Sequence, residues 1–100
     1  MADDNLFICN GKLAGRYDRR VTPGGVFLED IVLAVVTKIP WKEKKVMHIK
    51  ITCWGEGVEL LKTFKTGDKL RVRGLIEQIG VGDNKEFKLI ATEIEKEKQK

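Results

Sequence analysis

The stretch His-Ile-Lys-Ile-Thr-Cys-Trp at residues 48–54 shows the clearest strand pattern in this 100-residue chain. Apolar and polar side chains alternate along it, and successive side chains of a β-strand point to opposite faces. One face therefore presents Ile49, Ile51 and Cys53 to a core. The opposite face combines basic and aromatic groups, namely His48, Lys50, Thr52 and Trp54.

Two further strands are predicted before this stretch. The first covers Leu6–Leu13, where Gly11 suits a bulge or a sharp bend. The turn Thr22–Gly25 ends that region, because proline presets one turn dihedral and glycine tolerates the positive φ required next. The second strand covers Phe27–Val36. Its apolar face is formed by Ile31, Leu33 and Val35.

A lysine-rich connection, Thr37–Lys45, joins the second strand to the third. It contains Ile39-Pro40-Trp41, and proline argues against a central strand there. We therefore predict a loop that carries the ring of Trp41.

One helix and two more strands are predicted after residue 54. Val58, Leu61 and Phe64 recur at helical spacing, and Gly67 marks a stop. A fourth strand covers Lys69–Ile79, with a bend permitted at Gly74. The turn Gly80–Asn84 then leads into a fifth strand, Phe87–Ile94.

Three strands, one short helix and two more strands form the element order of the OB-fold. This fold is an all-β, five-stranded Greek-key barrel that commonly binds oligonucleotides or oligosaccharides, here with the helix between strands three and four. The length predicts one domain over residues 1–100. Residues 93–100 mix both charge signs and are expected to form a solvated strand end or a frayed tail.

The composition indicates a soluble chain without a targeting segment. Hydrophobic residues make up 42% of it, and no apolar run approaches the roughly 20 residues needed to span a bilayer. The opening Met1–Asp4 is acidic, unlike a secretory signal or a mitochondrial transit peptide. Cys9 and Cys53 lie in apolar runs, which favours reduced thiols over a disulfide. We therefore expect a cytoplasmic protein that does not associate with membranes.

No catalytic constellation is visible. The chain contains no serine, His48 has no partner histidine, and the two cysteines lack zinc-ligand spacing. No glycine-rich phosphate loop lies between a strand and a helix. The adjacent carboxylates Glu29 and Asp30 point to opposite faces of a strand, so solvation explains them better than acid–base catalysis. We predict no enzyme activity, no metal and no cofactor.

Three side chains are candidates for stacking on the bases of a single-stranded nucleic acid. Trp54 shares a strand face with Lys50 and His48, so its ring either stacks on a base or closes one end of the barrel core. Trp41 lies among lysines in a loop, where it either stays exposed or pins the loop to the barrel. His48 either stacks or is an ordinary surface histidine.

Basic residues provide the other half of such a site, because single strands need a positive groove for their phosphates. A solvated sheet surface explains some of these charges equally well. The net charge of +4 matters because the basic residues cluster. The candidate phosphate ligands are Lys12, Arg16, Arg19, Arg20, Lys42, Lys44, Lys45, Lys50, Arg71 and Arg73. The four phenylalanines, Phe7, Phe27, Phe64 and Phe87, are expected in the core, whereas Tyr17 suits either role.

With these residues in place, the chain resembles the bacterial single-stranded DNA-binding protein family over nearly its whole length. The order and spacing of several short segments, rather than any one of them, carry the resemblance. They are Asn5–Leu13, Arg16–Gly25, Ile31–Val35, Trp54-Gly55 before the helix, Lys65-x-Gly67-Asp68, and Val72-Arg73-Gly74.

The resemblance implies an OB-fold homo-oligomer, usually a tetramer, that wraps single-stranded DNA during replication, recombination and repair. It also implies a bacterial, nucleoid-associated location and contacts with replication or repair proteins. Trp54 matches the family's aromatic residue before the helix, Trp41 falls in a loop that carries another, and His48 occupies a site that is often aromatic. A further stacking position falls near Val81, which cannot stack.

One departure from the family leaves alternatives open. Members usually continue into a flexible linker with an acidic-hydrophobic tip, whereas this sequence stops at Lys100. It is therefore expected to be either a truncated DNA-binding core or a tailless relative, as primosomal replication proteins are. Those relatives are typically dimers that also bridge partner proteins. We predict sequence-independent binding of single-stranded DNA, with an OB adaptor for partner proteins and an RNA-binding OB module as alternatives.

Overall fold

The computed structural model describes residues 3–41 and 43–97, and its five strands close into a barrel. The elements are β1 (Phe7–Val21), β2 (Phe27–Lys38), β3 (Lys44–Trp54), α1 (Glu56–Leu61), β4 (Lys69–Ile79), a 3₁₀ turn (Gly82–Asn84) and β5 (Glu86–Lys96). Around the barrel the strands follow the order β1-β2-β3-β5-β4. The predicted all-β OB barrel, with one short helix between β3 and β4, is confirmed.

The long first strand serves two neighbours. Its first half, Phe7–Lys12, pairs with β4, and its second half, Lys12–Val21, pairs with β2, both antiparallel. The barrel closes where β3 meets β5 in parallel, through pairs at Ile51 and Thr52. Because this ladder is so short, β3 and β5 separate on either side of it.

The core consists of the faces that the alternation predicts. Ile31, Leu33 and Ile51 are fully buried, as is Cys53. Each large apolar side chain removed from water in this way stabilises the fold by about 1.5–3 kcal/mol. The remaining buried apolar residues come from the other elements: Leu13, Val58, Leu61, Leu70, Val72, Ala91 and Ile94.

Several predicted boundaries shift because tertiary pairing extends the strands. β1 continues past Leu13 to Val21, since β2 provides a partner for it. The pairing of Lys38 with Lys44 shortens the β2–β3 connection. The helix ends at Leu61, so Phe64 lies beyond it, although Phe64 still packs against the core.

Close backbone approach explains the two strand glycines singled out by the sequence. Of the bulge or sharp bend expected at Gly11, the bulge is absent, because the β1–β4 register runs through Gly11 without a shift. Instead, a Cβ on Gly11 would lie 2.6 Å from the carbonyl oxygen of Ala34. A Cβ on Gly74 would collide with the carbonyl oxygen of Ile90, where β5 also shifts register. Both positions therefore require glycine for packing.

Of residues 93–100, the structure describes those up to Glu97, and they continue the sheet. Residues up to Lys96 belong to β5, and the backbone N–H of Glu97 donates to the Lys69 carbonyl at 2.9 Å. Lys98, Gln99 and Lys100 lie outside the described residues. Within residues 3–41 and 43–97, no helix is long and apolar enough to cross a membrane. Cys9 and Cys53 are both free thiols.

Candidate nucleic-acid interface

The outer surface of β1, β2 and β3, here called the three-strand face, brings together five of the predicted binding residues. Because Leu13, Leu33 and Ile51 point inward, their neighbours along each strand point to solvent. The strand register aligns the outer residues in four cross-strand rows: Lys12–Ala34–His48, Gly15–Val32–Lys50, Tyr17–Asp30–Thr52 and Arg20–Leu28–Trp54. Lys12, Arg20, His48, Lys50 and Trp54 therefore share one surface.

Two aromatic rings are exposed on this face. Trp54 is 50% exposed and Tyr17 is 53% exposed. Tyr17 folds back over Gly15, where any Cβ would collide with the tyrosine hydroxyl. Because Gly15 has no side chain, the Tyr17 ring has room to pack on the sheet. Tyr17, for which the sequence left two roles open, lies on the surface beside the basic residues.

A nearly buried carboxylate lies in the middle of the three-strand face. Asp30 is 3% exposed and accepts a hydrogen bond from the Thr52 hydroxyl at 2.8 Å. Arg20 and Lys50 each place a nitrogen 3.4 Å from one of its oxygens. Burial alone raises the pKa of Asp30, but the Thr52 hydrogen bond and the charges of Arg20 and Lys50 outweigh burial and leave the pKa below its ordinary value. Asp30 therefore stays ionised and anchors both cations.

The β2–β3 hairpin extends the basic surface beyond the barrel. Trp41, in its turn, is 77% exposed. Lys44 and Lys45 follow at the start of β3 and are also exposed. Lys42, another predicted phosphate ligand, lies outside the described residues. The hairpin thus presents an aromatic ring and at least two cations to solvent.

Arg16 is directed away from the three-strand face. Its guanidinium forms an ion pair with Glu29, whose side chain is 4% exposed, and donates to the Leu61 carbonyl at 3.3 Å. The hydrogen bond to Glu29 raises the pKa of Arg16. Arg16 therefore ties β1 and β2 to the end of α1.

Arg71 and Arg73 lie on β4 and face carboxylates across the sheet. Their register partners on β5 are Glu95 and Glu93. Arg73 Nη1 lies 3.7 Å from a Glu93 oxygen. Both arginines line a groove of about 950 Å³ that also contains Trp54. Arg71 and Arg73 lie outside the three-strand face. Trp54 belongs to both that face and the groove.

That groove opens where β3 leaves β5, and α1 forms its other wall. Its apolar lining includes Phe27, Trp54, Leu60 and Ile94. Four glutamates and the two arginines of β4 accompany them: Glu56, Glu59, Glu93, Glu95, Arg71 and Arg73. The groove is therefore mixed in charge, in contrast to the predominantly basic three-strand face.

Sequence reasoning missed Lys88. The parallel pairs Ile51–Leu89 and Thr52–Ile90 bring Lys88 beside Lys50, and both line one depression. The alternation of side chains along β5 could have predicted that Lys88 faces outward, because its neighbour Leu89 packs against the core.

Two phenylalanines predicted for the core are exposed instead. Phe27 is 40% and Phe87 is 63% exposed, because each lies at a strand end beyond the barrel interior. The Arg19 guanidinium lies 5.2 Å from the centroid of the Phe27 ring. A cation over an aromatic face is favourable, and the contact holds Arg19 near the surface. Phe7 and Phe64 pack against the core as predicted.

Comparison with known proteins defines the class to which this barrel belongs. No family model and no curated protein sequence matches the chain. Two solved structures of the protein priB from Ralstonia solanacearum match 95% and 94% of it, with TM-scores of 0.77 and 0.75 at 17% and 18% identity. The chain covers 100% and 98% of those structures. The fold and the strand order thus define an OB-fold domain.

A third solved structure is the single-stranded DNA-binding protein of Thermus aquaticus. It matches 96% of this chain with a TM-score of 0.72 at 24% identity, and the chain spans 41% of its length. The likeness predicted from the short motifs is confirmed at the level of the fold.

Proposed function

We propose that this protein binds single-stranded DNA without sequence preference, through the three-strand face and the β2–β3 hairpin. The observation that carries the proposal is the arrangement of the face, where the exposed rings of Trp54 and Tyr17 lie among outward-facing cations. The structural likeness to a single-stranded DNA-binding protein supports it. Binding rather than catalysis is the proposed activity.

Each group on the face has a physical role in this proposal. Bases stack on Trp54, Tyr17 and Trp41, and every base offers a π-face, so the sequence matters little. His48 lies in the same row as Lys12 and adds a further ring. Lys12, Lys44, Lys45 and Lys50 neutralise phosphates, which makes the affinity dependent on salt. Arg71 and Arg73 extend the path from Trp54 along the groove.

The proposed setting is the bacterial cytoplasm, at the nucleoid, where single strands form during replication, recombination and repair. Its two free thiols suit a reducing compartment. We also propose a homodimer or homotetramer. Leu6, just before β1, is 57% exposed, and Ile8, within β1, is 48% exposed. Such apolar surface suits a contact between copies.

A protein adaptor is the second candidate function, and the groove favours it. Its apolar lining next to α1 is a surface of the kind that binds partner proteins. A partner that remains bound after nuclease treatment and in the presence of excess oligo-dT would favour the adaptor. An RNA-binding role is separated by comparing DNA and RNA oligonucleotides of equal length.

The first test is a titration of tryptophan fluorescence with oligo-dT at low and moderate salt. Trp41 and Trp54 are the only tryptophans in the chain, and both are at least half exposed. We expect strong quenching and an affinity that falls as salt rises. Folded protein that shows neither quenching nor binding would contradict the proposal and favour the adaptor.

A further inference from the structure

A basic depression of about 480 Å³ lies at the edge of the three-strand face. Its lining consists of Asp18, Arg19, Arg20, Asp30, Lys50 and Lys88. Four cations and two carboxylates leave two positive charges in excess. We propose that the basic depression holds one backbone phosphate of the bound strand, with Lys50 and Lys88 as its ligands. The inference rests on the proposed function and adds to it a position for one phosphate.

A bulge in β1 builds one wall of the basic depression. The β1–β2 register shifts between Tyr17 and Arg20, and Asp18 adopts a φ of 52°. A positive φ is strained for a residue with a side chain, so surrounding contacts must hold it. Arg20 provides one, because its Nη1 donates to the Asp18 carbonyl at 2.7 Å. The bulge thereby turns both Arg19 and Arg20 toward the surface.

Asp30 forms the floor and sets the roles of the two nearest cations. Arg20 places Nη2 3.4 Å from Asp30 while Nη1 is bound to Asp18, so both ends of its guanidinium are engaged. Arg20 therefore supports the site. Lys50 contacts Asp30 through one ion pair at 3.4 Å, and its side chain is 61% exposed. An ammonium group has three donors, so Lys50 retains donors that face solvent.

Lys88 completes the pair of ligands from the neighbouring strand. The short parallel ladder between β3 and β5 places Lys88 next to the position of Lys50. Among the described residues, ion pairs engage Arg20 and Lys50 in the basic depression but not Lys88. Both lysines line one depression, and the repulsion between their charges falls when an anion lies between them. A phosphodiester has two non-bridging oxygens that share one negative charge, so each oxygen can accept a hydrogen bond from one lysine.

The test measures the affinity for a short oligo-dT over a series of salt concentrations. It compares the wild type with Lys50→Ala, Lys88→Ala and the double variant. The matched control is Lys96→Ala, a lysine on the same strand whose Nζ lies 3.7 Å from Asp68, away from the basic depression. Thermal melting confirms that each variant is folded.

We expect each single variant to weaken binding about 3- to 10-fold, whereas the control binds like the wild type. One lost phosphate contact lowers the slope of log affinity against log salt by about 0.7. The double variant should therefore lose about 0.7 in total, because both lysines hold the same phosphate. A loss near 1.4 would show two separate phosphates, and an unchanged slope would remove both lysines from the interface; either result overturns the inference.

One further comparison completes the test. Oligonucleotides with and without a 5′-phosphate should bind equally, since the phosphate is internal to the strand. Preference for the 5′-phosphorylated strand that disappears in Lys88→Ala would place a strand terminus there instead and overturn the assignment. If the wild type fails to bind oligo-dT at all, the proposed function itself fails. Wild-type binding with unaffected lysine variants would overturn the phosphate site alone.

Discussion

At the scale of single residues, Trp54 links the two surfaces of the barrel. Trp54 lies in the row Arg20–Leu28–Trp54 of the three-strand face and also lines the groove beside α1. The sequence left open whether its ring closes the core, but with the residue 50% exposed much of it remains available for stacking.

Replacing Trp54 by alanine should weaken binding to oligo-dT, oligo-dC and oligo-dA alike. Loss of one stacked base costs about 1–3 kcal/mol, which corresponds to roughly 5- to 150-fold in affinity. Trp54→Phe should lose less affinity than Trp54→Ala, because its smaller ring still stacks on a base. Fluorescence anisotropy with labelled oligonucleotides measures the effect. Unchanged affinity in folded Trp54→Ala would show that the ring has no part in binding.

Asp30 makes stability depend on pH in the acid range. Its pKa is depressed in the folded state, so its contribution is present above the unfolded value, about 3.9, and is lost as pH falls through the folded pKa. Asp30→Asn should lower the free energy of unfolding at neutral pH by about 1–3 kcal/mol. The free energy of unfolding of the Asp30→Asn variant should then change less than that of the wild type as the pH falls below about 4.

Urea denaturation from neutral pH to the acid range checks this expectation. Asp83→Asn is the control, because Asp83 is exposed in the 3₁₀ turn and outside the Asp30 network. Parallel acid profiles for the wild type and Asp30→Asn would show that the Asp30 network contributes little to folding.

At the scale of elements, the β2–β3 hairpin projects cations away from the barrel core. Strand pairing extends to Lys38 and Lys44, so the hairpin is more regular than the predicted loop. The pairing therefore fixes the backbone of the hairpin, and the adjacent Lys44 and Lys45 leave it on opposite faces. Regular pairing lowers the entropy that would be lost when DNA orders these residues.

Replacing Lys44 and Lys45 by alanine should flatten the salt dependence of oligo-dT binding. Two lost contacts to single-stranded phosphates lower the slope by about 1.4. Lys62→Ala with Lys65→Ala removes the same charge from the end of α1 and the turn after it, and serves as control. The measurement is the affinity at four or more salt concentrations. An equal slope in the hairpin variant and the wild type would place the hairpin outside the interface.

The elements themselves were predictable because their signals are local. Alternation in residues 48–54 and in Phe27–Val36 identified two strands and their inward faces correctly. The helix was located but drawn too long, because Phe64 continues the apolar spacing beyond the point where the helix ends. Strand ends were missed where only a partner strand extends them, as in the second half of β1.

At the scale of the whole molecule, apolar surface remains on the side of the barrel formed by β1 and β4. Leu6, Ile8 and Leu75 are 57%, 48% and 38% exposed there. Burial of such surface is worth about 25 cal/mol per Å². A second copy of this chain is the proposed occupant, in agreement with the expected dimer or tetramer.

Replacing Leu6 and Leu75 by glutamate should shift the protein toward the monomer. The reason is that carboxylates placed in a contact between copies must lose their hydration. Sedimentation equilibrium measures the mass of the wild type and the variant. Val81→Glu is a matched control, because Val81 is 81% exposed in the β4–β5 connection. A monomeric wild type would contradict the proposed assembly.

The sequence by itself determined the order of the elements along the chain, the core faces of β2 and β3, and the aromatic and basic character of β3. These follow from a side-chain period of two and from turn residues, which act over a few positions. Tertiary structure alone decided three features: the position of the Tyr17 ring over Gly15, the hydrogen bond between Thr52 and Asp30, and the neighbouring positions of Lys50 and Lys88. Those contacts depend on the register between strands, and register is a property of the closed barrel rather than of any single segment.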